Sequence, residues 1–242
     1  MARAADPRVE IQASLERASN YNRWIAEQAN AHLGERVLDA GCGSGNITRL
    51  LLDRELVVAV DVWQAFVSRM ERAFADSSNI AVHRFDLADP DMPAALEQYS
   101  LDSAICVNVL EHVEDHRAAL ANLAASLRPG APIFLLVPAF PVLYGEHDRA
   151  DHHFRRYTKR SLRETVAPLP IEVESDYYMN LPGFFAWFLF VRLMRRRLSE
   201  EGIGLYDRVI PGIRRVEQAV RPPFGQTLVA VLRATGGAPA AR

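Results

Sequence analysis

An apolar strand that runs straight into a glycine-rich turn constrains this chain more than any other feature. Val37-Leu38-Asp39-Ala40 is followed at once by Gly41-Cys42-Gly43-Ser44-Gly45. Glycine lets a backbone reverse sharply and approach a ligand without side-chain collision. Turns of this kind join strand to helix in nucleotide-binding folds, where helix N-terminal amides face the ligand. The spacing selects the ligand. A dinucleotide turn reads GxGxxG, and here the third glycine comes one residue early. A P-loop ends in GK[ST], and this turn holds no lysine. Asp39, just ahead of the turn, would repel phosphate and suits a ligand with an ammonium group.

The surrounding pattern alternates strands with helices. Apolar runs predict strands over 36–40, 56–60 (ending in Asp61), 80–85 (ending in Asp86), 101–107 (ending near Asn108) and 132–137. Helical spacing falls over 9–33, 46–53, 64–75 and 116–127. This alternation predicts an α/β fold, with a Rossmann-like, seven-stranded, mostly parallel, doubly wound sheet covered by helices on both faces. Nearly continuous apolar strands fit a sheet buried on both sides. Beyond Pro138 the pattern changes. A long polar connection over 139–157 precedes a helix at 159–166, a strand at 171–179 and a helix at 184–198. A loop over 202–212, a short helix over 213–220 and a last strand over 227–233 follow. The expected organisation is an N-terminal helical lid (1–35), a ligand-binding core (36–138), an acceptor-side insertion and cap (139–198) and a segment completing the sheet (199–242).

Composition narrows the function. A net charge of −2 argues against a nucleic-acid-binding surface. Cys42 and Cys106 sit in apolar strand patterns, which reads as two reduced, buried thiols, and no Cys/His metal spacing occurs. The order E-H-D-x-x-D-H-H over 146–153, with His147, His152 and His153 beside Glu146, Asp148 and Asp151, has suitable ligand types for a metal but no recognised spacing, so metal is a minority reading and none is expected. The first 20 residues hold no apolar signal-peptide core, which fits a cytoplasmic protein. The apolar stretch 181–194 is too short to span a bilayer, which needs about 20 residues. Lys159 is the only lysine among many arginines, a bias of GC-rich bacterial coding.

The order D-A-G-C-G-S-G, followed by Asp61 and Asp86 at successive strand ends, resembles the class I S-adenosylmethionine-dependent methyltransferases. The resemblance covers about 36–137 and implies that cofactor. Asp39 with Gly41, Cys42, Gly43 and Gly45 would hold its methionine portion. Asp61 and Val62 would hold the ribose, and Asp86 and Leu87 the adenine. Asn108, Val109 and His112, in the segment NVLEHV, would floor the methyl site. Tyr21 resembles the aromatic that closes over the methionine moiety. Asp86 equally suits capping the turn at 88–90. In the second half, GEHD, HFRRY, NLPG and PFGQT resemble bacterial small-molecule methyltransferases often encoded near glycosyltransferases.

Methyl transfer from a sulfonium is an in-line displacement, so the protein mainly aligns groups and excludes water. A base is needed only where the acceptor holds a proton. Five of the seven histidines lie between 112 and 153, and His112, His147, His152 and His153 are the base candidates. Their plainer roles are orienting a loop or joining a structural cluster. Arg155, Arg156 and Tyr157 suit an anionic acceptor, or else salt bridges to Asp148, Asp151 or Glu164. Tyr144, Phe184 and Trp187 are expected to line the acceptor pocket. The stripe Phe184, Phe185, Trp187, Phe188, Phe190 and Val191 reads first as a buried helix or a dimer face. A second reading is a membrane-surface patch, with Arg195–Arg197 meeting head groups. The expected partner is a small-molecule acceptor, and the expected state a monomer or homodimer. Competing readings are aminocarboxypropyl transfer from the same cofactor, a non-catalytic nucleotide-binding partner protein, and an NAD(P) dehydrogenase, the last opposed by the glycine spacing. Base methylation of nucleic acid lacks its [DN]PP[YFW] signature.

Overall fold

Seven strands form one sheet in the order β3-β2-β1-β4-β5-β7-β6. The structure is a computed structural model that describes residues 18–194 and 200–236. The strands are β1 (Arg36–Ala40), β2 (Leu56–Asp61), β3 (Ile80–Arg84), β4 (Ser103–Val107), β5 (Pro132–Pro138), β6 (Ile171–Met179) and β7 (Thr227–Ala234). The first five run parallel, and β7 lies antiparallel between β5 and β6. Alternate residues face opposite sides. Leu38, Val58 and Leu135 enter one apolar layer with Leu120 and Leu123 of helix α4 (His116–Ala125) and Leu162 of α6 (Lys159–Val166). Val37, Val57 and Phe134 enter the other with Trp24 and Ile25 of α1 (Ser19–Asn30) and Ile210 of α8 (Glu200–Ala219). Helix α2 (Gln64–Ala73) adds Met70 to a smaller cluster with Cys42 and Ala59. The fold is the α/β sheet that the strand pattern predicts.

Several expectations change. The helix expected over 46–53 is a single 3-10 turn, Thr48–Leu50. Thr48 Oγ1 is spent on the Asp39 carboxylate, and Arg49 donates to Ser44 O, so this stretch is tied back onto the glycine turn. A short helix, α3 (Met92–Leu96), was not expected. The first helix begins at Ser19, and 9–17 lie outside the described residues.

The polar connection 139–157 is ordered rather than a loop. It contains a 3-10 turn (Pro141–Leu143) and α5 (Glu146–Ala150), and Tyr157 bridges back to Ala139. The apolar helix starts at Leu181 as α7 (Leu181–Ala186) and continues as a π-helix, Trp187–Leu193, while Arg195–Arg197 lie outside the described residues. Phe185 and Phe188 are exposed on it and Val191 is buried.

The largest correction is α8. Residues 202–212 are helical despite three glycines and Pro211. Tertiary contacts override that propensity. Asp207 accepts the backbone N–H groups of Asn20 and Tyr21, Glu217 accepts those of Asn180 and Leu181, and Ile210 is buried. No described helix is long and apolar enough to cross a membrane.

Candidate active site

The glycine turn leaves β1 at the carboxyl edge of the sheet. Gly41, Gly43 and Gly45 take φ values of 78°, 51° and 81°, in the left-handed region that favours glycine. A Cβ on Gly41 would stand 2.3 Å from Val109 Cγ2, so the turn packs directly on the tip of β4. Asp61 holds the turn from the neighbouring strand. Its Oδ2 accepts Gly43 N–H at 2.9 Å, and its Oδ1 accepts Trp63 N–H at 2.9 Å. Burial raises the Asp61 carboxyl above the ordinary range, against the pull of those amides. Asp39 is 4% exposed and accepts the Thr48 hydroxyl at 2.5 Å. Burial, opposed by that hydrogen bond and reinforced by Asp61, pushes the Asp39 carboxyl up to about 6. Cys42 is buried beside them, and burial raises its thiol. The Ser44 Oγ is buried in the turn without a hydrogen-bond partner. Buried polar atoms are rarely left unpaired, so this one fits a bound ligand.

The other strand ends are less uniform. Val62 and Trp63 follow Asp61 and are 41% and 45% exposed. Asp86 is exposed and its Oδ1 accepts Ala88 N–H at 2.9 Å, the capping role that its position also suited. The Leu87 side chain is buried in the core and its carbonyl accepts from Asn122, so the side chain is turned away from the cleft. Asn108 has φ 52°, which turns the chain sharply after β4 and sets Val109 against Gly41. Tyr21 stands at the same sheet edge. Its hydroxyl shares a hydrogen bond with Thr227 Oγ1 at the start of β7, and Thr227 lies opposite Pro138.

Beyond the β4 tip lies a buried ionic cluster. Asp148 is fully buried and accepts from Arg156 Nε at 2.7 Å, His153 Nδ1 at 3.0 Å and Gly145 N at 2.8 Å. His153 Nε2 reaches Asp151 Oδ2 at 3.2 Å, and His112 Nε2 stands 4.0 Å from the same oxygen. The His112 and His153 rings meet edge to face at 4.5 Å. Glu111 is 1% exposed and its Oε2 has no hydrogen-bond partner. Burial pushes the Glu111 carboxyl up to about 7, although His153 draws it down.

These contacts reassign several expected residues. Burial alone would lower the His153 imidazole, but Asp148 and Asp151 outweigh it and hold it up at about 9. His153 is therefore an imidazolium at neutral pH and cannot act as a base there. His147 packs edge-on against Trp187, and burial lowers its pKa. His152 is an exposed turn residue with φ 57°. Arg156 is not an acceptor clamp. It is 5% exposed, bonded to Asp148 and Ala139 O, and lies 4.7 Å over the Trp187 ring. Arg155 donates to Val113 O and Glu114 O. Tyr157 belongs to the core, with its hydroxyl donating to Leu110 O and 2.8 Å from His116 Nδ1. Tyr144 donates to His153 O, and Trp187 Nε1 donates to Leu143 O. Phe184 meets Phe140 and Phe224 edge-on, at 5.6 and 5.0 Å.

Two groups escaped sequence reasoning. Glu111 lies inside the NVLEHV segment, whose sequence assigns 108–112 as a whole to the floor of the methyl site without singling this carboxylate out. Asn180, at φ 64°, gathers Gln226, Gly183, Tyr206 and Glu217 around it at the end of β6. The NLPG and PFGQT segments were the available signal.

Comparison with known proteins follows this geometry. Residues 38–133 match the family model described as a methyltransferase domain. Over those residues the chain is similar to the class I methyltransferases. The cofactor of this methyltransferase family is S-adenosylmethionine. One curated relative, a ubiquinone biosynthesis O-methyltransferase of Hahella chejuensis, is 34% identical over 112 residues, covering 46% of each chain. The chain thus spans about half the length of the curated relatives it matches. A chain of the Haloferax volcanii complex between the Trm112 methyltransferase activator and its methyltransferase partner aligns with a TM-score of 0.63 at 19% identity, covering 97% of this chain and 99% of that one. The [4+2]-cyclase SpnF aligns at 0.57 and 17% identity, covering 90% and 82%. These two likenesses concern the fold alone.

Proposed function

We propose that this chain transfers a methyl group from S-adenosylmethionine to an oxygen of a small-molecule acceptor, in the cytoplasm. The observation that carries the reading is the meeting, at one sheet edge, of the glycine turn and its unpartnered Ser44 hydroxyl with the polar tip of β4. The O-methyltransferase relatives favour an oxygen acceptor.

Residues 36–138 serve as the cofactor core, the described part of 139–198 as the acceptor-side cap, that of 199–242 as the segment completing the sheet and that of 1–35 as a lid. Asp39 attracts the ammonium of the methionine moiety, and the backbone of Gly41, Cys42, Gly43 and Gly45 lies alongside it. Asp61 retains lone pairs for both ribose hydroxyls, and Val62 packs beside that ribose. Asp86 and the Leu87 backbone lie toward the adenine. Asn108, Val109 and His112 floor the methyl site, and Tyr21 closes it. The cofactor supplies an electrophilic methyl group. Trp187, Phe184 and Tyr144 wall the acceptor side and keep water out. A hydroxyl acceptor must lose its proton, and Glu111 and His112, beside Asp151, are the polar groups that would take it.

Incubation with methyl-labelled S-adenosylmethionine and a panel of phenolic and hydroxylated metabolites tests this. Label transfer to an acceptor oxygen, with S-adenosylhomocysteine formed, is the expected result. Cofactor binding without transfer to any acceptor class, or transfer of the aminocarboxypropyl group instead, would overturn it.

Cofactor affinity should also depend on pH. Asp39 is raised to about 6, so it is ionised at pH 7.5 and largely protonated at pH 5. Protonation removes its attraction for the ammonium. Affinity by calorimetry should therefore fall severalfold as pH drops through 6 and level off above 7. A flat profile between pH 5 and 7.5 removes Asp39 from the ammonium site.

A further inference from the structure

We propose that Glu111, His112 and His153, with Asp151, bind one divalent first-row transition-metal ion on the acceptor side of the cleft. One donor atom from each of Glu111, His112 and His153 lies within 4.8 Å of the others. Zinc-type ligand atoms stand about 2.0–2.2 Å from their ion. Two ligands of one ion at that radius stand up to about 4.4 Å apart, close to the spacing of these donors. Asp151 Oδ2 stands between the two rings, 3.2 Å from His153 Nε2 and 4.0 Å from His112 Nε2.

A second observation points to a ligand independently of the clustering. Glu111 is 1% exposed, yet its Oε2 has no hydrogen-bond partner. A buried carboxylate oxygen left unpaired costs free energy, and a cation recovers it. The arrangement behind the donors is also that of a metal site. His153 donates Nδ1–H to Asp148 at 3.0 Å, which aims Nε2 at the cluster. Carboxylate–histidine–metal relays orient ligands in this way. Asp148 is fixed in turn by Arg156 and Gly145 N–H, and Phe154 N–H bonds Glu111 O, which ties the two ligand segments together.

Two imidazoles with two carboxylates suit zinc, manganese or ferrous iron, whereas calcium and magnesium prefer all-oxygen sites. On binding, the ion replaces the Nε2 proton that His153 shares with Asp151, and that proton leaves to solvent. Beside a methyl-transfer cleft, the ion would bind the acceptor oxygen and ease its deprotonation. That use rests on the proposed function; the binding of the ion does not.

The test is titration of the chelator-treated full chain with Co²⁺ by visible absorption and with Zn²⁺ or Mn²⁺ by calorimetry, without cofactor. One ion per chain at micromolar affinity or tighter is expected, with ligand-field bands for Co²⁺. Glu111→Gln and His112→Gln should each weaken binding at least tenfold. Should Glu111→Gln fail to fold, His112→Gln on the surface side of the cluster carries the comparison. No saturable binding of any of the three ions, or equal affinity in the folded variants, overturns the proposal. A parallel titration with S-adenosylmethionine separates the two readings. Ion binding without cofactor binding sinks the methyl-transfer reading alone, and the reverse sinks the metal site alone.

Discussion

Asp148→Ala is expected to be among the most damaging single changes in this protein. Asp148 is fully buried and is the shared acceptor for Arg156, His153 and Gly145 N–H. Removing it leaves a guanidinium and an imidazolium facing each other in the interior with no counter-charge. Breaking a buried pair from one side costs about 3–5 kcal/mol, mostly as the penalty on the charge left behind. In a chain of this size each kcal/mol moves the melting temperature by about 2–4 °C, so a fall of roughly 10 °C is expected. Arg156→Met added to Asp148→Ala should recover part of the loss, because the stranded charge is gone. Denaturant unfolding and calorimetry read both effects. A cost below about 1 kcal/mol, or no recovery in the double variant, would show that the cluster is hydrated rather than sealed.

Asp61→Ala should weaken S-adenosylmethionine binding by ten- to a hundredfold. The carboxylate pins Gly43 N–H and Trp63 N–H, and in the proposed reading it also offers its remaining lone pairs to the ribose. Hydrogen bonds to charged groups are worth about 1.5–3 kcal/mol, and every 1.4 kcal/mol is tenfold in affinity. Asp61→Asn keeps one acceptor oxygen but turns an NH2 toward the second backbone N–H, so it should lower the melting temperature as well as the affinity. Unchanged affinity in Asp61→Ala, measured by calorimetric titration, would remove Asp61 from the ribose site.

How far these features were legible in the sequence depends on what kind of signal each one left. Helix 159–166 and strand 171–179 match residue for residue, because the first has Thr158 as its N-cap and the second opens on the alternating Ile171-Glu172-Val173-Glu174 after Pro170. The glycine turn was legible because glycine spacing and strand-tip acids are local. Helix α8 was not, since Gly202, Gly204, Pro211 and Gly212 all signal a loop. What holds it is distant: Asp207 meets Asn20, and Arg214 pairs with Glu27. The acceptor side failed for a related reason. E-H-D-x-x-D-H-H followed by two arginines reads as a solvated polar stretch, because such residues are seldom fully buried. Their burial becomes legible only once Asp148, His153 and Arg156 are seen to neutralise one another. Asp86 shows the limit of a motif in the other direction, since its place at a strand end was right while its hydrogen bond goes to its own turn.

The position of β7 bears on how the chain is made. Residues 227–234 fill the slot between β5 and β6, and β6 pairs with no other described strand. As the chain leaves the ribosome, the parallel part of the sheet can therefore assemble while 171–179 still waits for its neighbour. Both walls of that slot expose unpaired backbone until the last strand arrives, and open edges of this kind invite association with other chains. The end of β6 and the start of β7 also bring Asn180 beside Gln226 and Thr227 beside Tyr21, so those contacts form only in that final step. Premature termination before residue 227 would yield a chain with a formed glycine turn and an unfinished sheet, a species for chaperones and proteases rather than a weakened enzyme.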